Sequence, residues 1–217
     1  MTMTKRSGTI LDGDSRPEGR GTGTGPGRLT ARQLGGFCVL TALMVVTRSG
    51  HLGTAWTPPD ASWAVLYLAG FYFAREWRWA LPALLCTAMA VDFVVISYFG
   101  VSSYCVTAAY VFMLPAYVLL WLGGVWMRRA YRRELADLLR WAMSLGLGSS
   151  LCFLVTNTTF YWLGGRIPDP TLGGWWQSFA QWYPGFIAVP FVYVGIAAVL
   201  HIALARPGRV RVAADAH

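Results

Sequence analysis

Residues 79–99, WALPALLCTAMAVDFVVISYF, decide how this chain is read. Wound as an α-helix at 1.5 Å per residue, the stretch is ~30 Å long, the thickness of a bilayer's hydrocarbon core. It carries one ionisable side chain, Asp92. Such a run predicts a membrane-spanning helix, and five more apolar runs accompany it, at 34–47, 61–74, 106–126, 141–163 and 182–204. The last three are also long enough to cross. The first two, at about 14 residues, fall below the usual 17 to 25, and read as short tilted spans or as a hairpin that dips in and returns. Composition agrees: the 217 residues are 55% hydrophobic and 13% charged, where a soluble domain carries about 25% charged residues. The expected fold is an all-α integral membrane protein with six transmembrane helices.

A net charge of +8 would suggest nucleic acid in a soluble protein. Here the basic residues cluster between apolar runs, so orientation in lipid accounts for them and no nucleic-acid partner is expected. When the runs are laid out as alternate crossings, all of the 18 Lys and Arg residues except Arg48 and Arg166 fall on one side. The positive-inside rule then places a multi-pass protein in a bacterial cytoplasmic (inner) membrane with both termini cytoplasmic. Residues 1–30 are rich in Gly, Thr and Arg, hold too little apolar surface to offset ordering entropy, and read as a disordered cytoplasmic tail. Residues 31–205 form the six-span membrane domain, and 206–217 a cytoplasmic C-terminal tail. The loops on the outward side, RSGHLGTAWTPPD, GVSSYC and GGRIPDPTLGGWWQS, are rich in Gly, Pro and Trp and can fold over a ligand. Trp56, Trp175, Trp176 and Trp182 would cover a flat amphipathic ligand or, equally, form an interfacial belt. The inward segments are short and basic, with no Walker-type phosphate loop, so any pumping must draw on a gradient, on trapping, or on another subunit.

Polar groups inside the apolar runs cost free energy and mark either helix contacts or a site. Asp92 fits both readings: a carboxyl that ties helices together, or a polar contact beneath an outward-facing pocket. The cluster Thr156, Asn157, Thr158 and Thr159 reads first as interhelical hydrogen bonding. His201 reads as structural, and Asp60 as the cap of a helix that starts after TPPD. His51 stands on an outward loop within reach of a ligand. Pro115 would kink the fourth span or release a carbonyl beside a cavity. Of the four cysteines, Cys38, Cys86 and Cys152 lie inside apolar runs as small hydrophobes. Cys105 lies at the outward start of the fourth span with no second outward cysteine to pair with; it is an inert thiol or a functional one.

The stretches HLGTAWTPPDASWAVLYLAGFYF (51–73), AVDFVVISYFGVSSYCVTAAYVF (90–112) and SSLCFLVTNTTFYWLGG (149–165) resemble the BtuM-type proteins, solitary cobalamin-binding S-components related to energy-coupling factor (ECF) transporters. The resemblance covers roughly residues 34–204. It implies an ECF S-component-like bundle that binds cobalamin at its outward face and takes it up, with or without an ECF energising module as partner. It further implies that Cys105 ligates the cobalt, with Asp92 and Tyr110 as the polar residues beside it and Arg166 as the arginine near the end of the later spans. His51 and Asn157 join these as ligand-contact candidates. Thiolates are good ligands for polarizable metal centres, and binding a metal stabilises the thiolate form. Donation from sulfur would weaken the bond to an upper cyanide, so that a Cys105-dependent decyanation of cyanocobalamin is a hypothesis beside transport. Two alternatives stay open: an S-component-like transporter for another vitamin or metal, and a membrane enzyme with Cys105 as nucleophile.

Overall fold

The computed structural model describes residues 30–49, 58–99, 103, 106–132 and 134–204. The expectations for residues 1–29, for 205–217, and for His51, Trp56 and Cys105 lie outside the described residues. Among the described residues the chain forms six α-helices: α1 Ala31–Arg48, α2 Ser62–Tyr72, α3 Trp77–Phe99, α4 Met113–Ala130, α5 Ala136–Leu163 and α6 Leu172–Leu204, with a 3₁₀ turn, Ala108–Phe112, leading into α4. Four of these are long and apolar enough to cross a membrane: α3, the 3₁₀ turn with α4, α5 and α6. They coincide with the four long apolar runs, and make the chain a multi-pass membrane protein. Thr30 caps α1. Its Oγ1 accepts from the Gln33 N–H at 3.2 Å while Gln33 Oε1 accepts from the Thr30 N–H at 3.0 Å, a reciprocal box that satisfies two orphan donors.

The short second run becomes the centre of the bundle. Helix α2 is apolar all round, and every residue from Ser62 to Gly70 is buried. A helix without a polar face must be surrounded, and α1, α3, α4, α5 and α6 all touch it. At ~16 Å it spans about half a hydrocarbon core, and it lies inside the bundle and not on its surface. Its ends are held by side chains. Asp60 Oδ1 accepts from the Ser62 N–H at 2.9 Å; Asp60 stands one residue before the N-cap, which is Ala61 and has no side-chain cap bond. At the other end Arg128 Nη1 donates to the carbonyls of Phe71 and Tyr72 at 2.9 and 3.3 Å, satisfying acceptors that the helix leaves unpaired.

Lipid supplies no hydrophobic force between helices, so close packing needs small residues at the crossing. The α2–α4 crossing has them. A Cβ on Gly124 would run into the Tyr67 carbonyl, and one on Gly70 into the Trp121 carbonyl. Gly123 in turn lies under the Tyr67 ring. On the bundle's outside the pattern reverses, and Phe93, Leu147, Val192 and Val199 are exposed apolar side chains suited to lipid.

Two local expectations change. Pro115 falls in the first turn of α4, where its missing N–H is one that no carbonyl of α4 would have used. Helix α6 begins at Leu172, so Trp175 and Trp176, read as loop residues, are helical.

Gly124→Ala should lower the melting temperature of the purified protein, at a cost of about 1–3 kcal/mol for overpacking. Gly195→Ala, whose added methyl meets nothing within 4 Å, should leave it unchanged or slightly raised. Tryptophan-fluorescence melts in detergent read both.

Candidate functional site

The last residue of α1 organises one end of the bundle. Arg48 is 5% exposed, and a guanidinium at that depth must have its donors paired. Its Nε and Nη2 donate to Oδ1 and Oδ2 of Asp92, each at 2.6 Å, the bidentate fork that suits a carboxylate. Its Nη1 lies 3.1 Å from Asp60 Oδ2, 3.1 Å from Ser62 Oγ and 3.0 Å from the Tyr117 hydroxyl. Tyr110 donates its hydroxyl proton to Asp92 Oδ2 at 2.6 Å. One residue before, Thr47 Oγ1 accepts from the Ala61 N–H at 3.0 Å. The cluster thus draws on α1, the start of α2, α3, the 3₁₀ turn and α4, and sets one guanidinium against two carboxylates.

Asp92 and Tyr110 also line a cleft of about 260 Å³ between the last turns of α3 and the approach to α4. Met89, Phe93, Ile96 and Val106 supply its apolar walls, and Ser97 and Ser103 add hydroxyls. The structure therefore brings together two of the expected residues, Asp92 and Tyr110, and joins them by a hydrogen bond. Arg166 reaches the same neighbourhood from the α5–α6 loop: it is exposed, and its Nη2 lies 3.5 Å from the Ser103 carbonyl. Ser103 and Val106, which flank Cys105 in the chain, both line the cleft. Among the described residues no group of three or more His, Cys, Asp or Glu side chains stands ready for a metal ion.

The remaining expected residues go elsewhere. Asn157 is on the α5–α6 seam, not on the described cleft wall. Its Nδ2 is 3.4 Å from Ser178 Oγ, and its Oδ1 is buried with no partner among the described residues. The same seam carries Ser150 to the Tyr183 hydroxyl at 2.8 Å and Trp175 Nε1 to Thr158 Oγ1 at 3.2 Å. Of the Thr/Asn cluster, Asn157 and Thr158 thus bond across the seam, to Ser178 and Trp175, whereas the Thr156 and Thr159 hydroxyls donate back to the Cys152 and Val155 carbonyls of their own helix. Trp176 stacks on Phe179 with centroids 5.9 Å apart, and Trp182 is exposed; neither faces the cleft. His201 accepts from or donates to the Tyr72 hydroxyl at 3.0 Å at the far end of the bundle, in keeping with a structural role. Cys38 and Cys86 are exposed on helix surfaces, and only Cys152 is a core thiol.

Arg48, the residue that holds the site together, was not among the expected site residues. Its sequence signal was topological: it is one of two basic residues on the wrong side of the charge map. No protein-family model matches the chain, and no curated protein is significantly similar to it.

Arg48→Met should cost about 3–5 kcal/mol, because it strands Asp92 and Asp60 without their cation. In an Asp92→Asn background the same change should cost at least ~1 kcal/mol less. Unfolding curves of the four proteins of that cycle check the coupling, and simple additivity would show the fork to be energetically idle.

Proposed function

We propose that the chain is a cobalamin-binding uptake protein, a six-helix bundle of the ECF S-component type that takes its ligand at the end of the molecule carrying Asp92. The observation that carries this reading is the Tyr110–Asp92 hydrogen bond at the wall of the cleft, which unites the two polar residues that the resemblance places beside the cobalt-ligating cysteine. In this reading Cys105 supplies the thiolate, α1 and α2 complete six membrane segments, and the Asp92 end faces outward from a bacterial cytoplasmic membrane with both termini inside. A corrinoid is much larger than 260 Å³, so the cleft would hold one edge of it.

The chemistry proposed for Cys105 is ligand exchange. As the sulfur–cobalt bond forms on the lower face, the cobalt–nitrogen bond to the tethered benzimidazole breaks, giving a base-off form, and the thiol proton passes to solvent. An upper cyanide that departs takes the electron pair of its carbon–cobalt bond, so the oxidation state of cobalt does not change. Asp92, paired with Arg48, orients the Tyr110 hydroxyl at the cleft wall. An ECF energising module is a further partner under this proposal, and transport without one would rest on trapping of the ligand inside.

The test is a visible spectrum of the purified protein after incubation with cyanocobalamin, beside Cys105→Ala and Tyr110→Phe. A stoichiometric spectrum, shifted in the wild type and absent or unshifted in Cys105→Ala, is the expected result, with Tyr110→Phe retaining the shift at weaker affinity. A colourless wild type would overturn the cobalamin assignment and turn attention to a smaller amphipathic ligand that the cleft can enclose. Equal shifted colour in wild type and Cys105→Ala would remove the thiol from the cobalt.

A further inference from the structure

The hydrogen-bond commitments around Arg48 leave the cleft with a definite polarity. Arg48 engages both oxygens of Asp92, which keeps that side chain a carboxylate, and a carboxylate only accepts. Tyr110 spends its one hydroxyl proton on Asp92 Oδ2, so its oxygen has only acceptor capacity left for anything in the cleft. The local charge has the same sign. Arg48 is shared between Asp92 and Asp60, so the cluster carries one negative charge in excess, beside walls of Met89, Phe93, Ile96 and Val106 that weaken screening. Ser97 and Ser103 hydroxyls can donate or accept as required. The basic group that approaches the rim is Arg166, but its side chain is exposed, where water and salt screen it.

Resting on the reading of this cleft as a ligand site, we propose that it receives an amide N–H of the ligand and discriminates against a carboxylate at the same position. A primary amide places its N–H on the acceptor pair Asp92–Tyr110 and its carbonyl on a serine hydroxyl. A carboxylate of the same shape sets lone pairs against lone pairs and adds a second uncompensated negative charge. Specificity arises here from what the site would leave unpaired, the strongest form of polar discrimination. Arg48 touches no ligand in this scheme; it is a positioning residue whose fork holds Asp92 in place as the acceptor of the Tyr110 proton.

A pair of alkylating agents that differ only in this group provides the test. Ser97→Cys is made in the full chain in lipid nanodiscs, and residue 97 is alkylated by iodoacetamide or iodoacetate, with rates taken from mass spectrometry of its peptide. The amide-to-carboxylate rate ratio, divided by that of glutathione, should rise about tenfold, the size of one poorly screened charge. It should fall back in Asp92→Asn. Asp60→Asn removes the same charge while keeping an acceptor for the Ser62 N–H, and should lower the ratio even if Asp92→Asn does not fold. A ratio equal to that of glutathione overturns the proposal. So does a preference for iodoacetate that Arg166→Gln abolishes, since the rim arginine would then set the sign. The measurement needs no corrinoid: a protein that takes no cobalamin yet keeps the ratio removes the cobalamin assignment alone. Where cobalamin does bind, at least one of its peripheral monocarboxylate derivatives should bind about tenfold more weakly than the full amide.

Discussion

A guanidinium that has left water has few ways to be stable, and the architecture at one end of this bundle is the set of ways that Arg48 uses. Its partners come from separate parts of the chain: Asp60 and Ser62 at the start of α2, Asp92 on α3, Tyr117 on α4. Each bond is directional, so together they fix the rotation of α1 and α3 about their axes and the height of α2 between them. Desolvation makes the arrangement all-or-none, because a buried ion missing one partner costs more than the pair contributes when intact. The polarity of the neighbouring cleft follows from the same constraint, since the fork on Asp92 decides which way the Tyr110 proton points.

Distance between helices is set by a different rule. Where α2 meets α4, Gly70, Gly123 and Gly124 let backbone approach backbone, and dispersion at short range replaces the hydrophobic force that lipid does not supply. Where α5 meets α6, side-chain hydrogen bonds run along the seam from Ser150 to Thr158. The bundle is thus close-packed by glycine on one side of α4 and stitched by hydroxyls and amides at α5–α6. Its outer surface carries the large apolar side chains. The organisation suits a protein whose solvent is hydrocarbon.

The long helices were legible because length and hydropathy are local properties, and residues 79–99 carry both. The cap of α1 was also written locally, as the TARQ of residues 30–33, whose Thr and Gln stand at box spacing. What could not be read was whatever depends on a partner distant in sequence. Residues 61–74 show an apolar helix, but only the five neighbours α1, α3, α4, α5 and α6 make it a central one. Arg48 looks like a loop residue until Asp92 and Asp60 are placed around it; its position against the charge map was the one hint. Asn157 shows the opposite failure. Its polarity is evident in sequence, but the choice between seam and cleft was decided by Ser178, which no spacing rule connects to it. Asp92 and Tyr110 are joined by a hydrogen bond that no spacing rule gives, while the start of α6 moved back past Trp175 because the Gly/Pro-rich stretch before it ends at Thr171, not at the tryptophans.

The half-height of α2 also constrains how the molecule is made. A segment of eleven residues is too short to be retained as a crossing by itself, and the glycines it packs against are synthesised some fifty residues later, on α4. Between those moments α2 has lipid or the membrane surface for a neighbour instead of its final partners. Its surroundings are therefore complete only once α4 is present, with Arg48 bonded to Asp60 and Ser62 at its start and Arg128 to the Phe71 and Tyr72 carbonyls at its end. The most buried helix of the finished protein is, in the order of synthesis, enclosed well after it is made.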